Sequence, residues 1–174
     1  EVQMGYLESK QILIPTREGY EFIDWSLSGS GASLTNNVFK MGTGDASLVA
    51  NWKEKEMQLT IDPNGGTYNN KLNTQSFKLV YGQTKEIMDP VKEGYIFENW
   101  TISNNSSSLK NKVFTMGNQS TKLTANWKKG QYNLSIDPNG GKYNNSTSII
   151  NEKISYGNSK QISIPTRTGY EFKG

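Results

Sequence analysis

"IDPNGGTYNN", residues 61–70, returns as "IDPNGGKYNN" at residues 136–145. An aspartate, an asparagine and a glycine pair in one loop suit three chemistries. The loop could hold a phosphate on backbone N–H groups, offer oxygens to calcium, or turn the chain. A calcium loop of the EF-hand kind spreads oxygen ligands over about twelve residues and closes on a glutamate. Here one aspartate is followed by proline, and no glutamate falls in register. A phosphate loop runs into Lys-Ser/Thr at a helix start, and no helical pattern follows this stretch. Turn chemistry is met instead. Pro63 pre-sets a first corner, Asn64 suits a second, and Gly65 and Gly66 supply positive φ without steric cost. With Asp62 leading in, the reading is a tight turn that closes a hairpin, Tyr68 lying on the returning side.

The flanks agree. Met57, Leu59 and Ile61 alternate with Gln58, Thr60 and Asp62, and Tyr132, Leu134 and Ile136 repeat the pattern. Period two with one apolar face is a half-buried strand. Phe77, Leu79 and Tyr81 give a second strand, and Val2, Met4 and Tyr6 hold the same positions in an earlier copy. Gly82, Pro90 and Gly94 then punctuate a loop. In Gly94-Tyr95-x-Phe97-x-x-Trp100, Tyr95 and Phe97 share a face while Trp100 falls out of phase. Either the strand is buried on both sides or a bulge restores the phase, and the Ser and Asn that soon follow favour a bulge or bend. Residues 29–35 and 104–110 correspond but differ in sequence, and read as solvated polar loops. Leu123, Ala125 and Trp127 close the copy as a last strand. No segment carries helical apolar spacing over ten residues. The expected fold is mainly β, with five or so short strands per copy around an aromatic core and at most single helical turns.

Repetition decides the organisation. Gly19-Tyr20, Gly94-Tyr95 and Gly169-Tyr170 recur every 75 residues, as do Trp25 and Trp100, Met41 and Met116, Trp52 and Trp127. Tyr6, Tyr81 and Tyr156 keep the same step. One complete copy spans 57–130. Residues 1–56 read as the later part of a preceding copy and 131–174 as the first part of a following one, so the natural N-terminus is expected upstream. A period of 75 exceeds the roughly 20–50 residues of solenoid units and is close to the size at which a domain folds alone. The connections "KEKE" and "KKG" are too short to act as free linkers. Tandem small domains in a restrained, elongated array are expected.

Composition narrows the chemistry. The chain has 174 residues and neither cysteine nor histidine. Ordinary zinc sites and Cys–His or Ser–His–Asp nucleophile systems are therefore closed to it. No carboxylate pair stands out in every copy, so no catalytic residue, metal ligand or cofactor site is assigned. Nineteen Lys and Arg against 16 Asp and Glu leave no basic run for nucleic acid. No apolar stretch approaches the roughly 18 residues of a membrane span. Tyr95, Phe97, Trp100 and Trp127 read as core, because a cysteine-free domain of this size needs large side chains to bury enough area. Tyr68 and Tyr143, at the turn, are the candidates for exposed, ligand-contacting aromatics. No Lys–Asn–acid trio for an isopeptide bond can be picked out.

In order, "LTIDPNGGTYNN", "VYGQTKEIMDPVKEGYIFENWTIS" and "TKLTANWK" resemble the Listeria–Bacteroides repeat and its internalin B-type relative. Leu7 departs from the pattern, replacing the Gly of Tyr-Gly in the first copy. The resemblance covers essentially the whole chain. It implies β-grasp-like domains in tandem on bacterial cell-surface or secreted proteins, without catalytic residues. The function it implies is a stalk or spacer whose partners are neighbouring repeats. An adhesive module binding host glycan or protein through loops and tyrosines is the alternative.

Overall fold

The computed structural model describes residues 2–174. All regular structure in it is β, and no helix occurs among the described residues. The first copy contributes β1 (Ser9–Gln11), β2 (Tyr20–Ser28), β3 (Ser33–Thr35), β4 (Val38–Lys40) and β5 (Ser47–Glu54). The second contributes β6 (Glu56–Asp62), β7 (Gln75–Val80), β8 (Thr84–Glu86), β9 (Tyr95–Ile102), β10 (Ser108–Lys110), β11 (Val113–Thr115) and β12 (Thr121–Lys129). The third supplies β13 (Gln131–Ile136) and β14 (Ile150–Ser155).

Strand order follows the repeat. β7-β6-β12-β9 form a four-stranded sheet, and β10-β11-β8 a small three-stranded one. The first copy reproduces the small sheet as β1-β4-β3 and two strands of the larger one as β2-β5, while β13-β14 match β6-β7. Register is conserved too: Met57 faces Leu79, and Tyr132 faces Ile154. Seven strands stand where the sequence suggests five, because β8, β10 and β11 have three residues each and show no period. Val2, Met4 and Tyr6, read as a strand, form none. Their counterpart β7 is held by pairing with β6.

The bulge expected near the tryptophan is present. In β2 the register against β5 shifts between Phe22 and Asp24. In β9, Glu98 and Asn99 are both exposed, so Phe97 and Trp100 return to one face with ring centroids 5.4 Å apart.

By compactness the chain divides into two units, each drawing on more than one copy of the repeat. One comprises Glu1–Ile61, Gln75–Ile87 and Ile102–Leu123. Its core holds Leu59, Ile61, Ile87, Phe114, Met116 and Leu123, all buried. Burying a side chain of this kind stabilises by about 1.5–3 kcal/mol. The other comprises Asp62–Thr74, Met88–Thr101 and Thr124–Gly174. Its core is aromatic, with Tyr68 and Tyr143 buried and Phe97 between Trp100 and Trp127 at 5.4 and 5.7 Å.

Candidate functional site

The turn is tight, but one residue out of the expected register. Gly66 N–H donates to Pro63 O at 3.0 Å, so Asn64 and Gly65 are the corners, with φ of 48° and 79°. Two positive φ values in succession mark a type I′ turn; Pro63 precedes the corners instead of forming one. Asp62 spends its carboxylate on the turn itself, Oδ1 accepting from Asn64 N–H at 2.9 Å. Asp137 does the same for Asn139 at 2.8 Å, and Gly141 N–H donates to Pro138 O at 2.8 Å.

Nor does this turn close the β6–β7 hairpin directly. Thr67 pairs with Val91, and a second two-residue turn joins Tyr68 to Lys71 through two backbone bonds of 3.0 Å. Asn69 and Asn70 are its left-handed corners, a conformation asparagine tolerates better than most residues. The copy at 143–146 has the same pair of bonds.

That second turn corrects the reading of the two tyrosines. Tyr68 and Tyr143 are each only 2% exposed. Doubling the chain back folds the Tyr68 ring inward, edge-on to Trp100 at 5.9 Å. The Tyr143 hydroxyl accepts from Ser163 N–H at 3.4 Å. Both are core residues, not an exposed platform.

The other motif residues converge on the turn. Asn64 Nδ2 donates to Ala125 O at 3.0 Å, and Trp127 Nε1 to Pro63 O at 3.0 Å. A Cβ on Gly66 would lie 2.6 Å from Trp127 Cζ2, so the indole packs on bare backbone. Lys92 was not singled out from sequence, yet its Nζ reaches Asn64 O at 3.2 Å and lies 4.6 Å from the Tyr95 ring centre. Arg167 bonds Asn139 O and covers Tyr170 likewise, and Arg17 covers Tyr20 at 3.7 Å. Three basic residues, each three positions before the tyrosine, carried the signal. Cation–π contacts at such exposed sites contribute about 0.5–1 kcal/mol.

Gly94 and Tyr95 form a second constellation, at the joint between copies. Only Lys55 separates β5 from β6, and only Gly130 separates β12 from β13. Gly130 N–H donates to Gly94 O at 2.8 Å, and Tyr156 N–H donates to Gly130 O at 2.8 Å. The Tyr156 ring covers Gly94 so closely that a Cβ there would sit 2.2 Å from it, and it meets Tyr95 edge-on at 5.9 Å. The earlier joint repeats this: Lys55 N–H donates to Gly19 O at 2.9 Å, and Tyr81 covers Gly19. The Glu18 carboxylate beside Tyr81 raises its phenol above the ordinary value, helped by burial and a hydrogen bond to Glu18.

The polar loop at 104–110 is less solvated than expected. Asn104 Oδ1 accepts from Ser106 N–H at 3.1 Å, while its Nδ2 donates to Thr121 Oγ1 at 2.9 Å. Ser107 and Thr121 are buried and share a bond of 2.7 Å, and Gly117 N–H donates to Ser107 Oγ at 2.9 Å. These polar groups serve one another. No group of three or more potential metal ligands occurs among the described residues, and no helix there is long and apolar enough to cross a membrane.

Residues 14–56 and 57–131 match the divergent InlB B-repeat domain, and residues 132–174 match the Listeria-Bacteroides repeat domain. These are bacterial repeat families associated with surface proteins, and neither is a catalytic domain. The chain is also similar to a protein of Evansella cellulosilytica whose name describes it as a Gly-rich membrane protein. Identity is 28% over 173 residues, covering 91% of this chain and 19% of the relative, so the chain spans about a fifth of that protein's length. No solved structure matches the chain. Through the matches that run from residue 14 to residue 131, the chain belongs to the divergent InlB B-repeat domain family.

Proposed function

We propose that this chain is a non-catalytic segment of a bacterial cell-surface or secreted protein, where its repeats act as a semi-rigid spacer. The repeating unit is 57–130, with 1–56 and 131–174 as parts of its neighbours. The observation that carries the reading is the joint. A single residue connects the last strand of one copy to the first of the next. Gly94, Gly130 and Tyr156 tie the two copies through backbone bonds and a ring laid on bare glycine. A connection of that kind resists the free swivelling of a flexible linker. The membership of the family and the relative's name support placement at the cell envelope. The burial of Tyr68 and Tyr143 takes those two tyrosines out of an adhesive reading.

Small-angle X-ray scattering tests the spacer reading. Wild-type chain is expected to give a narrow distribution of lengths that is extended for its mass. Gly94→Val displaces the Tyr156 ring and is expected to broaden that distribution. A collapsed wild-type profile, or a profile that Gly94→Val leaves unchanged, contradicts it. Saturable binding of the purified repeats to host cells or a glycan panel at micromolar concentration would favour the adhesive alternative.

A further inference from the structure

Two tyrosines from successive copies meet at the second joint. Tyr95 opens β9 of the second copy, and Tyr156 directly follows β14 of the third. Their rings stand edge-on, with centroids 5.9 Å apart and planes at 64°, inside the range of about 4.5–7 Å for paired rings. Both residues belong to the same compact unit. The backbone fixes their approach: Gly130 N–H donates to Gly94 O, beside Tyr95, and Tyr156 N–H donates to Gly130 O, each at 2.8 Å. The missing side chain of Gly94 admits the ring, since a Cβ there would lie 2.2–2.3 Å from Tyr156 Cγ, Cδ1 and Cδ2. The contact is thus built by the joint and is not a chance meeting of two loose side chains.

Both rings are also within reach of a reagent. Tyr95 is half-buried, and Tyr156 is 37% exposed. Exposure belongs to the position, because Tyr81, its counterpart in the complete copy, is 43% exposed. The chain contains no cysteine, so it offers no thiol to intercept an oxidant and has no disulfide with which to staple one copy to the next.

We propose that Tyr95 and Tyr156 form an oxidative cross-linking site, where a haem peroxidase acting with hydrogen peroxide joins the two rings by a carbon–carbon bond. Each phenol gives up one electron and its hydroxyl proton, leaving a radical whose spin extends to the ring carbons beside the oxygen. Two such carbons, one from each ring, form the bond. Their hydrogens then move to the oxygens as protons, which restores both phenols. Hydrogen peroxide takes up the two electrons and two protons lost overall and leaves as two waters. Two rings already held together couple in preference to rings that must meet by diffusion. The bond closes a loop between two copies and constrains the unfolded chain, as a disulfide would. It turns a packed joint into a covalent one.

Peroxidase treatment of the full chain at low micromolar concentration, with one equivalent of hydrogen peroxide, tests this. The product is expected to run as a monomer under denaturing conditions, to show dityrosine fluorescence and to weigh two hydrogens less than the starting chain. Trypsin cuts after Lys92, Lys110, Lys153 and Lys160, so Tyr95 and Tyr156 leave in peptides 93–110 and 154–160, each with no other tyrosine. These two peptides are expected to remain bonded to each other. Tyr95→Phe and Tyr156→Phe keep the rings but lack the hydroxyl, and each is expected to lose the linked pair. Gly94→Val keeps both phenols and displaces the Tyr156 ring, so it is expected to lose most of the linked pair as well. Treated wild-type chain in which tyrosines couple only between molecules overturns the proposal. So does a linked pair that survives in Tyr95→Phe, or one that Gly94→Val yields in full. None of these failures touches the spacer reading, which is tested by the length of the untreated chain.

Discussion

Leu7 occupies a backbone position made for glycine. Its φ is 61°, against 76° at Gly82 and 74° at Gly157, the residues that follow the tyrosine in the other copies. An L side chain in the left-handed region costs about 1–2 kcal/mol, while a glycine returns roughly 0.5–1 kcal/mol of chain entropy to the unfolded state. Leu7→Gly is therefore expected to stabilise the first copy by roughly 0.5–1 kcal/mol, measured by denaturant unfolding. Leu7→Ala retains the Cβ and is expected to give no such gain; equal effects from both would refute the backbone explanation. From sequence the departure at Leu7 looks minor, because the sign of φ is invisible there. The turn at residues 63–66 shows the same limit. Proline and glycine announce that the chain turns, but not which pair forms the corners. The Asn64 side chain is tied to Ala125, 61 residues away, and nothing local encodes that tie. The burial of Tyr68 is illegible in the sequence for a related reason, since it depends on a second turn and on Trp100.

At the scale of elements, the legible strands are those with one packed face. β6, β7 and β12 alternate because the sheet buries every second residue, whereas three-residue strands such as β8 and β10 are too short to alternate. The bulge near the tryptophan was also legible, since a phase error between Phe97 and Trp100 has few remedies. What alternation could not reveal is the buried network of Asn104, Ser107 and Thr121. Comparison within the chain explains it: the 75-residue counterparts are Gly29, Ala32 and Ala46. A Cβ on Gly29 would lie 2.6 Å from Ala46 Cβ, so the first copy closes the same space with small apolar groups. The three positions thus change as a set. Thr121→Ala alone strands the polar groups around it, and is expected to cost about 1–3 kcal/mol. In a Ser107→Ala background the same change is expected to cost less, with a coupling of about 0.5–3 kcal/mol in a double-mutant cycle. Strict additivity would mean that the groups do not act together.

At the scale of the whole molecule, what matters is how copies are joined, and the first joint carries a pH dependence. Tyr81 covers Gly19 with its hydroxyl beside Glu18, whose Oε1 also accepts from Asn118 Nδ2 at 3.0 Å. The negative charge of Glu18 raises the Tyr81 pKa, so the folded state holds that proton more tightly than the unfolded chain does. The resulting stability is present in full below the ordinary phenol value of about 10 and is lost as pH climbs through the higher folded value. Glu18→Gln removes the charge, and Tyr81 is then expected to ionise at lower pH. Phenolate absorbance during an alkaline titration measures this, with Tyr81→Phe assigning the signal. Identical curves for wild type and Glu18→Gln would remove the electrostatic account.

β6 and β12 are neighbours that run in the same direction, since Gln58 N–H reaches Ser120 Oγ and the Asn64 amide reaches Ala125 O further along both strands. This parallel pairing has a mechanical consequence. β6 opens the repeat and β12 ends it, so traction on the chain enters at one end of β6 and leaves at the opposite end of β12. Adjacent strands pulled in that way slide past each other, and their backbone bonds bear the load together instead of opening one after another like a zip. Single-molecule stretching is expected to show each repeat yielding in one abrupt, high-force step. A gradual extension at low force would mean that the bonds open in sequence. Thermal stability and resistance to pulling can then be set separately: the first by the cores, the second by the direction in which two strands run.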